Sequence, residues 1–536
     1  MSVETLYKKS TYYITTPLYY VNDVPHIGHA YCTIAADVVA RYKRLRGNKV
    51  HFLTGTDEHG QKIEKAAETS GETPKQLADR VVERFKGLWQ TLNISYDDFI
   101  RTTEERHASV VAQFFKLVYN KGDIYLGEYE GWYCQPCETY YSETQLVNKK
   151  CPGCKREVAL LKEESYFFRL SRYQELLLKY IQDNPQWILP EFRKNEILGM
   201  LREPLSDLSI TRTSCQWGIP VPDLGAQVHD KDGNWLTPKK THYIYVWFDA
   251  LLNYISAINY LSDAGGFLER WPVDVHLVGK DIIKFHAIIW PAMLLSVGIP
   301  LPKLIYGHGF ILADGEKMSK SKGNAIDPQA IIERFGVDAL RFFLMREISF
   351  GQDGSISWQA LENRYQSNLA NDLGNLLHRS LAMLEKYFQG KVPASDESHC
   401  QPVDSAFSQF AVATVEALEP LVQQFKLHLA LDEIWKLVSR ANRYVDERAP
   451  WTLFKHGKTD ELAVVMYNVL EALRFLALLL SPFMPTTAQR MWEALGLTGS
   501  LTDIKKTSWE WGKLPVGTQV QKGEPIFPKI ELATAV

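Results

Sequence analysis

The sequence predicts an α/β protein: a parallel sheet split by a cysteine-bearing insertion and followed by an α-helical bundle. Strand and helix signals alternate over residues 1–115 and resume from about residue 239. Between them the alternation breaks down into paired cysteines, prolines and glycines, and after about Leu361 the chain turns helical.

Tyr12-Tyr-Ile-Thr-Thr16 is aromatic and β-branched and reads as the first strand. A loop with Pro17, Asn22, Asp23 and Pro25 leads to a helix from about Gly28 to Arg46, with Ile34, Val38, Tyr42 and Leu45 on one face. Gly47-Asn48 stops that helix, and Val50-His-Phe-Leu-Thr54 follows as a strand, completing a βαβ unit. Residues 116–238 form the insertion. Residues 239–325 return to the sheet, with strands at Asp274–Gly279 and Leu304–Gly307 around a long apolar helical segment. Residues 326–360 read as a linker, residues 361–500 as the bundle and residues 501–536 as a tail. Leu427, Leu431, Ile434, Val438, Ala441 and Val445 recur at alternating spacings of 4 and 3, the pattern of a bundle seam.

The 536 residues are 46% hydrophobic and 23% charged, which excludes a disordered or low-complexity chain. Sixty basic against 63 acidic residues exclude binding of nucleic acid by bulk charge, although a local basic face is compatible with this balance. Arg41 to Lys49 is such a stretch, and it reads more readily as a solvated helix end than as a contact for RNA phosphate. The N-terminus has no apolar signal core. The longest run without a charged residue, Phe285 to Pro302, carries three prolines and reads as buried core. No membrane association is expected.

His26-Ile-Gly-His29 sits where a strand hands over to a helix. Free N–H groups and a positive dipole end favour phosphate there, and Gly28 permits close approach. Two histidines capping a turn is the plainer reading of these residues alone. Lys317-Met318-Ser319-Lys320-Ser321 offers cations and hydroxyls between glycines, which suits an anion clamp or, more plainly, a solvated basic loop. Cys134-x2-Cys137 and Cys151-x2-Cys154 have the spacing of a tetrahedral zinc knuckle, the rival being a redox dithiol pair. Four protein thiolates leave no open coordination position, so the zinc would be structural. Cys32, Cys215 and Cys400 are scattered thiols without an assigned role.

In this order and about 290 residues apart, the two lysine- and histidine-bearing segments are the HIGH and KMSKS signatures of class I aminoacyl-tRNA synthetases. The chain resembles the methionyl-tRNA synthetases of bacterial type over nearly its whole length. The resemblance rests on Thr16-Pro-Leu-Tyr-Tyr-Val-Asn-Asp-Val-Pro-His-Ile-Gly-His29, Thr54-Gly-Thr-Asp-Glu-His-Gly60, Tyr245-Val-Trp-Phe-Asp-Ala250, Gly279-Lys-Asp-Ile282 and Tyr444-Val-Asp-Glu-Arg-Ala-Pro-Trp451. It implies a Rossmann-like catalytic sheet, the zinc knuckle and an anticodon-binding bundle.

The implied activity is ligation of methionine to the terminal adenosine of tRNA(Met), through methionyl-adenylate made from Mg2+-ATP, for initiation and elongation. His26, His29, Lys317 and Lys320 would be the catalytic residues, with Gly28, Met318, Ser319 and Ser321 completing the ATP site. Asp57 would hold the methionine ammonium, although taken alone it also reads as a helix N-cap. Leu18, Tyr20, Trp247, Ala250, Tyr254, Ile282, His286 and Ile289 would line the pocket, with Ile289 standing where some relatives carry an aromatic. Asn375, Arg379 and Trp451 would read the anticodon, Trp451 otherwise being a core aromatic. The resemblance further implies a cytoplasmic enzyme. A monomer is expected, because no appended tRNA-binding domain follows the bundle. The rivals are another class I synthetase or small nucleotidyltransferase, and a non-catalytic tRNA-binding scaffold.

Overall fold

The computed structural model describes residues 9–22, 24–135, 139–141, 143, 146–313, 316–317, 326–503 and 509–530. Two compact units make up the chain: Met1–Pro25 with Val50–Gln90 and Tyr96–His308, and His26–Lys49 with Thr91–Ser95 and Gly309–Val536.

In the first unit, six strands form one sheet in the order Asp98–Arg101, Lys49–Asp57, Thr11–Tyr20, Val275–Gly279, Ile305–His308, Ile188–Leu189. Ile14 pairs with Val275, His276 with Ile305 and Leu53 with Asp98, all in parallel register. Every residue of Val275–Gly279 is buried, as expected of a central parallel strand covered on both faces. The insertion contains a second, antiparallel sheet in the order Thr139–Tyr141, Ile124–Cys134, Ala159–Phe168, Leu208–Ser209. Its long hairpin runs in continuous register from Ile124↔Phe168 to Tyr133↔Ala159. The apolar segment after Gly279 is two elements, a π-helical turn Phe285–Ile289 and the α-helix Trp290–Val297, which stops at the left-handed Gly298.

The second unit contains the helix Ile27–Leu45 and a succession of later helices. Among these are Val337–Glu347, Asn375–Phe388, Pro402–Gln423, Leu427–Arg448, Pro450–Lys455 and Thr459–Leu480. The seam residues predicted between Leu427 and Val445 are all buried. Thr459–Leu480 is long and apolar enough to cross a membrane by length and composition, yet it is buried without interruption from Leu462 to Leu480 as the core rod of the bundle.

A buried ion pair organises this unit. Asp37 and Arg341 are both fully buried, and Arg341 Nη2 donates to Asp37 Oδ2 at 2.7 Å. The same guanidinium donates to the carbonyls of Leu92, Pro482 and Phe483 at 2.8–3.0 Å. Asp37 also accepts from Arg41 Nε at 2.8 Å and from the Ser95 amide and hydroxyl at 2.7 and 2.6 Å. Burial alone would raise the Asp37 carboxyl, but the two guanidiniums and Ser95 outweigh it and hold the group below its ordinary value.

The basic stretch from Arg41 is therefore not a solvated helix end. Lys43 is buried against Glu419 at 2.8 Å, and Arg44 donates to Ser95 at 2.7 Å. These cations serve packing inside the unit.

Candidate functional site

The residues expected around methionine lie at one end of the parallel sheet. Leu18 and Tyr20 end the strand Thr11–Tyr20, and Asp57 ends Lys49–Asp57. Ile282 follows the strand Val275–Gly279. Carboxyl ends of parallel strands are where open α/β sheets bind ligands. Trp247 and Ala250 come from the helix Val246–Leu251, Tyr254 from Asn253–Ser256, and His286 and Ile289 from the π-helical turn.

Aromatic contacts join these residues. Tyr20 meets Trp247 edge-on at 6.5 Å, and Trp247 stacks on Phe285 at 3.7 Å, nearly parallel. The indole Nε1 of Trp247 is buried without a hydrogen-bond partner among the described residues. Asp57 is only 3% exposed.

Two buried imidazoles lie beneath. His286 Nδ1 donates to the Ile282 carbonyl at 3.1 Å, so its Nε2 accepts from the Tyr254 hydroxyl at 2.7 Å. Burial lowers the His286 pKa to about 4, against the opposing pull of the Ile282 carbonyl. The ring is therefore neutral at physiological pH. His276 accepts from Trp290 Nε1 at 3.1 Å, and its Nδ1 lies 2.8 Å from Thr15 Oγ1. Burial, reinforced by His286, keeps it neutral as well.

His26 caps the helix Ile27–Leu45 in extended conformation. Its Nδ1 accepts from the Gly28 amide at 3.1 Å, and its own amide donates to His29 Nδ1 at 3.3 Å. The rings stack at 3.7 Å. With both Nδ1 atoms accepting, each neutral ring carries its proton on Nε2, the nitrogen that can donate to a phosphate oxygen. A Cβ at Gly28 would come within 3.0 Å of the His26 ring, so glycine is what lets that ring fold back onto the helix end. Lys317 lies in the short strand Glu316–Lys317, paired with Leu312. Met318, Ser319, Lys320 and Ser321 lie outside the described residues.

Cys134, Cys151 and Cys154 bring their sulfurs within 4.8 Å of one another. The Cys134 and Cys154 sulfurs are 3.4 Å apart, too far for a disulfide, and the Cys154 amide donates to Cys151 Sγ. The Cys151 thiol is pulled down to about 6: burial resists, but the Tyr141 hydroxyl and neighbouring amides outweigh it. A thiolate-favouring cluster of this shape can hold a metal ion. Cys137 lies outside the described residues.

Asn375 opens the helix Asn375–Phe388, and Arg379 lies one turn later on the same side. Arg379 reaches Asp446 and the Asn442 side chain at 3.2 Å each. Trp451 is 46% exposed on Pro450–Lys455, so it does not close a core.

A family model described as tRNA synthetases class I (M) matches residues 12–160 and 157–381. A second, the anticodon binding domain of methionyl tRNA ligase, matches residues 392–535. The methionine–tRNA ligase of Caldanaerobacter subterraneus is 50% identical over 98% of this chain and 80% of its own length. The chain belongs to the methionyl-tRNA synthetase family. The Thermotoga maritima methionine–tRNA ligase is 46% identical over 97% of this chain and 80% of its own. The Mycobacterium tuberculosis methionyl-tRNA synthetase in complex with methionyl-adenylate matches with a TM-score of 0.89 at 40% identity, covering 97% of this chain and 100% of that one.

The fold brings further residues against these segments that the motifs alone did not single out. Asp249, fully buried between Trp247 and Ala250, accepts from His59 Nδ1 at 2.6 Å and from His107 Nε2 at 2.7 Å. Burial opposes its ionisation, but the two imidazoles prevail and hold it below the usual carboxylate range. The segment just after Asp57 is thereby tied to the helix Val246–Leu251. Glu58 is locked by Arg101 at 2.7 Å and by Thr56 and Thr103. Arg212 is buried with its guanidinium 4.1 Å from the Tyr245 ring. His59 and Asp249 lie inside the quoted motifs, which was the available signal; His107 and Arg212 carried none.

Proposed function

We infer that this chain is a methionine–tRNA ligase that activates methionine with ATP and transfers it to the terminal adenosine of tRNA(Met). The observation that carries this reading is the buried Asp57 carboxylate at the sheet end where Leu18 and Tyr20 also finish their strand, in a chain matched over 98% of its length by a relative of that name. An apolar pocket with one carboxylate suits an unbranched thioether carrying an ammonium group. Asp57 orients the ammonium, leaving the methionine carboxylate to attack the α-phosphorus of Mg2+-ATP as pyrophosphate departs. His26 and His29 donate from Nε2 to phosphate oxygens, and Lys317 and Lys320 neutralise the departing pyrophosphate. Catalysis is positioning and preorganised charge, without a covalent enzyme intermediate. Asn375, Arg379 and Trp451 contact the CAU anticodon, Trp451 offering its open ring to a splayed base.

Pyrophosphate exchange assayed across the amino acids tests this reading. Methionine-dependent exchange is expected; exchange driven by another amino acid, or none, overturns it.

The thiol cluster suits zinc, completed by Cys137, which would act as a structural cross-link. Elemental analysis of protein purified without chelator should find about one zinc per chain, and the Cys151→Ser variant should lose it. Metal-free protein would refute the assignment.

A further inference from the structure

We propose that Tyr387 and Phe454 form a second stacking shelf near Trp451, which receives a nucleotide flanking the anticodon triplet, next to the base that Trp451 takes. The proposal rests on the reading of Trp451 as an anticodon contact. Tyr387 and Phe454 stack at 4.5 Å with their planes 25° apart. Phe454 remains 46% exposed, so one side of it packs on Tyr387 while much of the ring stays open. It follows Trp451 by three residues on Pro450–Lys455, which places the two exposed rings on neighbouring positions of one helix side.

The surroundings favour RNA over an apolar partner. The Lys386 ammonium lies 5.8 Å from the Tyr387 ring and 5.9 Å from the Phe454 ring. Lys455 and His456, both exposed, follow Phe454 directly. On the helix Asn375–Phe388, Asn375, Arg379 and Lys386 are spaced by 4 and 7 residues and so lie along one side. The Lys386 ammonium and the Tyr387 and Phe454 rings thus form one cluster, on the helix that also carries Asn375 and Arg379. A cation beside an aromatic ring suits a polyanion whose bases have π-faces. An apolar protein surface would gain nothing from those charges.

The test uses the full chain and an anticodon stem-loop RNA of the methionine tRNA. Two versions of the RNA carry 2-aminopurine, one on either side of the anticodon triplet. Binding should quench the fluorescence of one of the two. Phe454→Leu keeps an apolar side chain against Tyr387 but removes the ring. It should abolish that quench and weaken binding by roughly 5- to 150-fold, the range for loss of one base–aromatic stack, while Phe454→Trp retains both. If Phe454→Leu binds and quenches as the parent does, or if Phe454→Trp fails equally, the shelf is overturned. Trp451→Ala separates the two readings: weakened binding there with a neutral Phe454→Leu removes only the shelf. Neutrality of both removes the anticodon reading with it.

Discussion

Asp37→Ala should lower the unfolding free energy by about 3–5 kcal/mol, the range for breaking a buried pair by deleting one partner. The deletion leaves the Arg341 guanidinium fully buried without its carboxylate, and it leaves Arg41 Nε and the Ser95 amide and hydroxyl without their Asp37 acceptor. Urea denaturation monitored by tryptophan fluorescence measures the loss. A change below about 1 kcal/mol, the size of an exposed salt bridge, would show that the pair is dispensable. The parent should also carry an acid signature. The folded carboxyl is held below its ordinary value, so the stability it contributes is complete above the unfolded aspartate pKa. That contribution is lost as pH falls through the lower folded value. In Asp37→Ala this part of the acid slope should disappear.

Asp57→Ala should reduce kcat/KM for methionine in pyrophosphate exchange by roughly 10²- to 10⁴-fold, the equivalent of about 3–5 kcal/mol. Asp57 is nearly inaccessible to water. An ammonium group brought there without a carboxylate would be desolvated and unpaired. The effect should fall on methionine, while the KM for ATP changes little. Retention of near-parental methionine use would remove Asp57 from the ammonium site.

Much of the sheet was legible because its central strands are covered on both faces. Val275 to Gly279 and Phe52 to Thr54 therefore read as nearly unbroken apolar and β-branched runs. The helix from Ile27 was legible from its apolar period and its Gly47 stop. The insertion hairpin was not. Ile124–Cys134 opens on the short buried run Ile124-Tyr-Leu126 but then alternates between half-buried and exposed positions through Glu128, Tyr129 and Glu130, so no apolar run announces its full length. The residues expected around methionine could be listed from motifs. The tie from His59 through Asp249 to His107 could not, because its members lie 190 and 142 residues apart and meet only in the fold. The same holds for Asp37 and Arg341, a charged pair buried completely against the usual preference for water. Local pattern predicts where apolar side chains go. It does not predict which distant charge will neutralise a buried one.

The Thr459–Leu480 rod has a bearing on how the chain is made. It is the most water-averse stretch of the bundle, and it follows Pro402–Gln423 and Leu427–Arg448 in the chain. Synthesis therefore delivers two of its neighbours before the rod itself. Had the order been reversed, a greasy segment of membrane-spanning length would wait uncovered at the ribosome, open to aggregation or misdelivery. Placing it after two of its partners gives the rod a surface to dock on as it emerges, before Pro485–Ala494 and residues 510–514 cover it from the other end.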